Sequence, residues 1–212
     1  MKNLLFKELT LTIGKFFYLL PLLLGLLFFI PNWIFTLVPM YFFWISIPNI
    51  FSSYSAQLDY PFLSLLPVTK ANIVVAKTVS IYIIQGIHII FALIFGIIHN
   101  LIYGQYNFFL QINPIYFGIV FMIFGIFNII VFPLYFKTAY RWGKPTIYGV
   151  IVTLIFAGLF EYAAAAIPSI SNVLNSVNLY TQYSLFALGF FGGIILSIFA
   201  TFLSIKNYEK IQ

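Results

Sequence analysis

The stretch FFYLLPLLLGLLFFI (16–30) decides the fold class, because it is apolar along its whole length. Strands of a transmembrane barrel alternate between apolar and polar side chains, because one of their faces lines a polar interior. An unbroken apolar run is typical of a membrane-crossing helix, which takes about 20 such residues. The stretch therefore predicts an all-α integral membrane protein.

The composition of the whole chain favours the same class. Of its 212 residues, 63% are hydrophobic and only 7% are charged, whereas soluble domains carry about 25% charged residues. A soluble secreted enzyme, a disordered chain and a disulfide scaffold are thereby excluded. Because the chain has no cysteine, thiolate ligands are excluded as well, and we expect no metal site. We expect a single transmembrane domain over residues 1–212.

The apolar segments predict six transmembrane helices. We place these spans at 16–31, 33–52, 73–98, 114–136, 146–167 and 183–205. Pro39 and Pro48 interrupt the second span. Membrane helices tolerate proline where neighbouring helices satisfy the freed backbone groups.

The basic residues predict the orientation of these spans. By the side of the membrane on which they fall, all ten precede the first span, lie between spans two and three or four and five, or follow the sixth, with Lys77 just inside the start of the third. Cytoplasmic loops carry an excess of lysine and arginine. We therefore expect a multi-pass protein of the cell membrane with both termini in the cytoplasm. The net charge of +6 requires no nucleic-acid partner, because this topology and anionic lipid headgroups account for it.

Residues 2–15 form a different kind of segment ahead of the first span. One face of a helix here would carry Leu5, Phe6, Leu9 and Ile13, with polar residues mostly on the other side. Such a pattern predicts an amphipathic helix that lies in the cytoplasmic interface of the bilayer. The alternative is a ragged extension of the first span.

The segment QLDYPFLSLLPVTKANIVVAK (57–77) predicts a short helix between spans two and three. Asp59 is a suitable N-cap, and Pro61 suits a first turn, where its missing N–H is not needed. Pro67 ends this helix, and Thr69 can cap the next one.

Four apolar side chains of this short helix would be largely exposed at the cytoplasmic face: Phe62, Leu63, Leu65 and Leu66. Exposed apolar clusters on a protein surface are typical of interaction sites. The helix is therefore a candidate docking element for another protein. The alternative is a loop helix that rests on the lipid.

The run LSLLPVTKANIVVAK (63–77) resembles the coupling-helix region of ABC-2-type transporter permeases. Their pattern L-L-S-L-P-V-[ST]-[RK]-x-x-I-V-x-x-K enters the third of six spans. The chain looks most like the small bacterial permeases of peptide exporters, such as the phenol-soluble modulin exporters. It departs from such permeases at SSYSAQ (52–57), which carries no charge where they often have several acidic and basic residues.

The resemblance implies a transmembrane subunit that pairs with a second permease chain as a homo- or heterodimer. It also implies that each half binds a cytoplasmic ABC ATPase subunit, which holds ATP and Mg²⁺, so that this chain is not itself an enzyme. The residues carried over to the coupling role are Asp59, Tyr60, Pro61, Phe62, Leu63, Leu65, Leu66, Pro67, Val68, Thr69 and Lys70.

Two ionisable side chains lie deep inside the predicted spans. His88 and Glu161 are each about 14 residues, or about 21 Å, from the cytoplasmic end of their span, so they could meet at one depth. Three interpretations remain open: a buried structural hydrogen bond, two separately satisfied groups, or a substrate path or proton relay.

Small residues predict close helix packing in the sixth span. Gly189 and Gly193 form G-x-x-x-G, a pattern that lets two helix backbones approach. The partner could be a helix of the same chain or of a second copy.

No motif for catalysis or nucleotide binding is present in the sequence. GKPT (143–146) lacks the glycine spacing and the Ser/Thr of a phosphate-binding loop. The leading hypothesis is the permease of an ATP-driven exporter of amphipathic or hydrophobic cargo, peptides in particular. The alternatives are an ATP-independent transporter or channel for small solutes, and an immunity or scaffold protein that binds peptide without moving it.

Overall fold

The computed structural model describes residues 2–104 and 106–211, which are helical and contain no strand. The outer bounds of the predicted domain, 1 and 212, lie outside this part of the chain. The helices, in chain order, are α1 (Lys2–Lys7), α2 (Phe16–Gly25), α3 (Leu37–Tyr41), α4 (Ile47–Ala56), α5 (Asp59–Ser64), α6 (Lys70–Tyr103), α7 (Pro114–Lys137), α8 (Gly143–Ala166), α9 (Pro168–Leu174) and α10 (Leu179–Glu209). Three further helical stretches extend them. Glu8–Thr12 after α1 and Phe42–Ser46 after α3 are π-helical, and Leu26–Phe29 after α2 is a 3₁₀ stretch.

Four of the described helices are long and apolar enough to cross a membrane: α6, α7, α8 and α10. They contain the predicted spans three to six except residue 167, which lies just after α8, and this confirms those four segments as helices. Lys2–Thr12 and Phe16–Phe29 count as a fifth candidate if they form one bent span. The predicted second span is less regular, because it consists of α3, the π-helical stretch and α4, of 5, 5 and 10 residues.

The N-terminal segment does not continue straight into the next helix, because Lys2–Thr12 is bent by 67° from Phe16–Phe29. Its buried face differs in part from the apolar face expected from the sequence. Ile13 is buried as expected, but Phe6 is exposed, and Glu8 is buried in its place. The face of this helix that is buried therefore depends on the charged side chain of Glu8 as well as on the apolar residues.

Helix α7 is the centre of the bundle, and α10 crosses it at glycines. In the most apolar 18 residues of each helix, 67% of the residues are buried in α7 but only 17% are buried in α10. A Cβ atom on Gly189 would lie 2.4 Å from the carbonyl oxygen of Gly118, and one on Gly193 would lie 2.2 Å from that of Phe121. Both glycines of the G-x-x-x-G pattern therefore pack against the backbone of the same chain.

Candidate functional site

The short helix α5 begins in a way that differs from the sequence-based expectation. Leu58 precedes it in the left-handed backbone region, at φ 49°, and no side chain caps the helix. Asp59 is its first residue and not its N-cap, because the carboxylate forms ion pairs instead. Thr69 does cap α6, since its hydroxyl accepts a hydrogen bond from the backbone N–H of Asn72 at 3.2 Å.

Three of the four predicted apolar side chains at α5 are exposed. Leu65 is 84% exposed, Phe62 54% and Leu66 37%; we call these three residues the apolar tip. The expectation for Leu63 was wrong, because it is only 2% exposed and belongs to the buried core. Successive helical positions point about 100° apart, so Leu63 faces inward while Phe62 faces outward. The helix is thus anchored by Leu63, and the apolar tip is exposed on α5 and on the two residues that follow it.

Four charged side chains fix α5 to two other helices, and we call them the charge cluster. They are Lys7, Glu8, Asp59 and Lys77. Lys77 Nζ lies 2.5 Å from Asp59 Oδ2 and 3.3 Å from Glu8 Oε1. Lys7 pairs with Asp59 and, at 3.2 Å, with Glu8 Oε1. The cluster joins the N-terminal segment, α5 and the beginning of α6 into one unit.

The charge cluster is buried but neutral in sum, with two cations and two anions. Lys77, Glu8 and Asp59 are each at most 2% exposed, and Lys77 Nζ also lies 3.3 Å from the centre of the Tyr54 ring. Buried charges are tolerated when they are paired and hydrogen-bonded. Removal of one member leaves another charge uncompensated, which costs far more than the intact cluster contributes.

Lys7 lies at the edge of the charge cluster. Burial by itself would lower the pKa of Lys7, but its hydrogen bond to Asp59 and the nearby charge of Glu8 raise that pKa above its ordinary value. A raised pKa in the folded state stabilises the fold at neutral pH. That contribution is lost only as the pH rises through the raised pKa.

This cluster was not predicted from the sequence, although a signal was present. Lys77 lies four residues beyond the start of the predicted third span, where a lysine needs a counter-charge. The whole chain has only four acidic residues, and two of them, Glu8 and Asp59, flank the same side of the predicted membrane. A search for carboxylates at that depth would have found them.

The rest of the predicted coupling segment contacts other parts of the same end. Lys70 Nζ donates to the carbonyl oxygens of Ile211 at 2.5 Å and Glu209 at 3.4 Å. Tyr60 makes edge contacts with the rings of Tyr140 and Tyr208. The N-terminal segment and the C-terminal residues therefore lie at the same end of the bundle, on either side of the coupling segment.

Pro67 and Val68 line a groove of about 490 Å³ between α1 and the link from α5 to α6. Phe62 and Leu66 of the apolar tip line the same groove, together with Leu4 of the N-terminal segment. The exposed apolar surface is therefore concave on this side.

His88 and Glu161 bind different partners in the structure. Glu161 Oε1 accepts hydrogen bonds from the Thr36 hydroxyl at 2.6 Å and backbone N–H at 3.4 Å, and Oε2 accepts one from the Leu110 N–H at 3.0 Å. His88 Nδ1 bonds the Ile84 carbonyl one turn earlier in its own helix. Among the described contacts, none joins the two side chains, so the hydrogen-bonded pair considered above is not observed. Glu161 instead ties α8 to two loops at the far end.

We expect the effects of His88→Gln and Glu161→Gln on stability to be additive. The two side chains share no hydrogen-bond partner, so a double-mutant cycle should give an interaction energy below about 0.5 kcal/mol. The measurement is unfolding in detergent micelles for both single variants and the double variant. Glu161→Leu should cost more than Glu161→Gln, because it strands the N–H groups of Thr36 and Leu110 at about 1–3 kcal/mol each. A clearly non-additive cycle would show that the two sites interact.

The comparisons with known proteins agree with this helical membrane architecture. The sequence model of the family described as ABC-2 family transporter protein matches residues 3–209. Searches of curated proteins and of solved structures find no match. The matched region contains every element described above from α1 to α10 except the first residue of α1, and it spans nearly the whole chain. The chain therefore belongs to the ABC-2 family of transporter proteins.

Proposed function

We propose that this chain is the permease subunit of an ATP-driven exporter that moves amphipathic or hydrophobic cargo, in particular peptides, out of the cell. Membership in the ABC-2 family supports a role as the membrane subunit of an ABC transporter, and we infer that ATP is hydrolysed in a separate subunit. The observation that carries the proposal further is the apolar tip on α5. This surface is exposed, yet the helix that bears it is fixed to α6 by the charge cluster.

The proposed topology has six spans with both termini in the cytoplasm. Two spans are added to the four long helices, and both precede them in the chain. The first is Phe16–Phe29, and the second is the helical stretch from α3 to α4. The latter covers 37–56, or about 30 Å at 1.5 Å per residue, which matches the hydrocarbon thickness. The end that carries the charge cluster and both termini is the cytoplasmic end, in agreement with the positions of the basic residues. The N-terminal segment lies in the interface there.

The proposed coupling mechanism follows from the connections of α5. ATP and Mg²⁺ are held by the partner ATPase, and the apolar tip docks into a groove of that subunit. A displacement of α5 is transmitted to α6 through Asp59 and Lys77, and to the N-terminal segment through Asp59 and Lys7. A second permease chain completes the transporter, so that two such units respond to the closure of two ATPase subunits.

The combined substitution Leu65→Asp and Leu66→Asp is expected to abolish binding of the ATPase subunit. Two carboxylates at the centre of an apolar contact cannot be desolvated without a partner, so co-purification should fall about tenfold or more. The measurement is a pull-down of the candidate ATPase with the tagged permease. The control is Leu65→Met with Leu66→Met, which keeps an apolar tip and should bind as the wild type does. Undiminished co-purification of the Asp variant would exclude α5 as the docking site.

A further inference from the structure

Two adjacent residues of α5 contact different parts of the bundle. Asp59 forms ion pairs with the N-terminal segment and with α6; we call these two elements the α6 unit. The ring of Tyr60, the next residue, lies edge-on to the rings of Tyr140 and Tyr208, with centroid distances of 5.5 and 6.2 Å. Tyr140 belongs to the turn between α7 and α8, and Tyr208 to the end of α10. Helix α5 therefore contacts helices that the charge cluster does not include.

These other helices, α7 and α10, pack as one body, which we call the α7–α10 unit. Two glycines of α10 lie against the backbone of α7. At the end that carries the charge cluster, Tyr140 stacks on Tyr208 with ring centroids 5.8 Å apart, and its hydroxyl donates to that of Tyr208 at 3.3 Å. Phe136 of α7 meets the Tyr208 ring edge-on at 5.6 Å. A contact of Tyr60 with these rings is thus a contact with the whole unit.

The turn that carries Tyr140 has an unfavourable backbone conformation. Ala139 and Tyr140 both lie in the left-handed region, at φ 49° and φ 69°. Residues with a Cβ atom rarely adopt this conformation, and it persists only where the surrounding contacts fix it. Tyr140 is buried, and its ring stacks on Tyr135 of α7, at 5.1 Å, as well as on Tyr208. The strained turn thus places this ring where α7, α10 and α5 meet.

Helices α6 and α10 are joined near one end and separated by a cavity toward the other. The hydrogen bonds between their described residues join 70–82 of α6 to 197–209 of α10. Toward the far end, a cavity of about 520 Å³ lies between α6, α7 and α10. The end at which α6 and α10 are joined is the one where α5 contacts both units. A small rotation at that end therefore changes the distance between the far ends of the two helices.

We propose that Tyr60 is a positioning residue that sets the angle between α6 and α10. The ion pairs of Asp59 fix α5 to the α6 unit, and the Tyr60 ring fixes the same helix to the α7–α10 unit. A displacement of α5 therefore acts on both units at once. Because α10 has 31 residues, or about 46 Å, a rotation of about 5° at its charge-cluster end moves its far end by about 4 Å. The link itself does not require an ATPase, but its use in transport rests on the function proposed above.

Distances between spin labels in the full chain in lipid nanodiscs test the link. Because the chain has no cysteine, labels can be placed by two pairs of substitutions. Tyr180→Cys with Leu101→Cys spans the two units at exposed positions of α10 and α6, whereas Tyr180→Cys with Ile126→Cys lies within the α7–α10 unit. We expect Tyr60→Ala to broaden the first distance distribution by about 4 Å and to leave the second unchanged. Broadening of both distributions, or of neither, would overturn the proposal, because a general loss of packing would loosen the α7–α10 unit as well.

Two variants control for the chemistry of this change. Tyr60→Phe should keep the narrow distribution of the first pair, because the contacts with Tyr140 and Tyr208 are made by the ring. Tyr148→Ala removes an exposed tyrosine of α8 and should leave both distributions as in the wild type. If Tyr60→Phe broadens the first distribution as much as Tyr60→Ala does, the ring contacts do not hold the two units together.

The role of the link in transport is measured with the candidate ATPase at concentrations that saturate each variant. Addition of Mg²⁺ and ATP should shift the distance between the labels at Leu101 and Tyr180 in the wild type and in Tyr60→Phe. In Tyr60→Ala the shift should be less than about half as large. An equal shift in Tyr60→Ala would overturn the role of Tyr60. A wild type that does not respond would contradict the proposed function instead, and the measurement without ATPase would still decide whether the link exists.

Discussion

The Lys77→Met variant should be about 3–5 kcal/mol less stable than the wild type. Methionine fills similar space but removes the cation that lies 2.5 Å from Asp59 and 3.3 Å from Glu8. The remaining members of the charge cluster then carry a net charge of −1 in a buried site. Unfolding in detergent micelles, followed by circular dichroism, measures the loss. The fraction of protein that stays monodisperse after heating gives an independent measure.

The double variant Lys77→Met with Glu8→Gln should recover more than half of that loss. Neutralising Glu8 leaves the pair of Lys7 and Asp59, so the site has no net charge again. The control Lys15→Met alters an exposed lysine of the same region and should change stability by less than about 0.5 kcal/mol. If the double variant is no more stable than Lys77→Met, the loss does not arise from uncompensated charge.

Gly193→Leu should destabilise the bundle by about 3 kcal/mol, at the upper end of overpacking effects. A Cβ atom there would lie 2.2 Å from the Phe121 carbonyl oxygen and 2.5 Å from its carbonyl carbon. These are backbone atoms of α7, which cannot move aside as a side chain can. The helices would have to separate along the whole crossing, where Gly125 and Gly189 make equally close contacts.

Gly158→Leu is the matched control for this prediction. A Cβ atom on Gly158 would meet nothing within 4 Å, so the added side chain should extend from the surface of α8. Both variants introduce the same residue into a membrane-facing helix, and the difference between their unfolding free energies isolates the helix crossing. Equal stability of the two variants would mean that α7 and α10 do not cross at Gly193.

The four long helices could be predicted from the sequence because lipid imposes one simple requirement. A backbone in hydrocarbon must satisfy its own hydrogen bonds, so a long apolar run has to be helical. The stretch between Leu37 and Ala56 was harder to predict. Pro39 and Pro48 remove backbone donors, and a π-helical stretch changes the helical repeat between α3 and α4. How such a region bends depends on its neighbours, which the pattern of apolar residues does not describe.

The errors at the candidate site share a different cause. Asp59 fits the local rule for an N-cap, but its ion pairs with Lys7 and Lys77 involve residues distant in sequence. Likewise, the depth of Glu161 in the membrane could be estimated from its position in the span, but the direction in which its side chain points could not. The backbone N–H groups of Thr36 and Leu110, which it binds, carry no signature in the sequence.

The order of the charge cluster along the chain has a consequence for biosynthesis. Lys7, Glu8 and Asp59 all precede Lys77, so every counter-charge for that lysine already exists when it leaves the ribosome. Insertion of α6 can therefore be accompanied by closure of the cluster, before α7 to α10 have been made. The end of the molecule that carries the charge cluster is in this sense a co-translational unit, and the later helices assemble onto an end that is already charge-neutral.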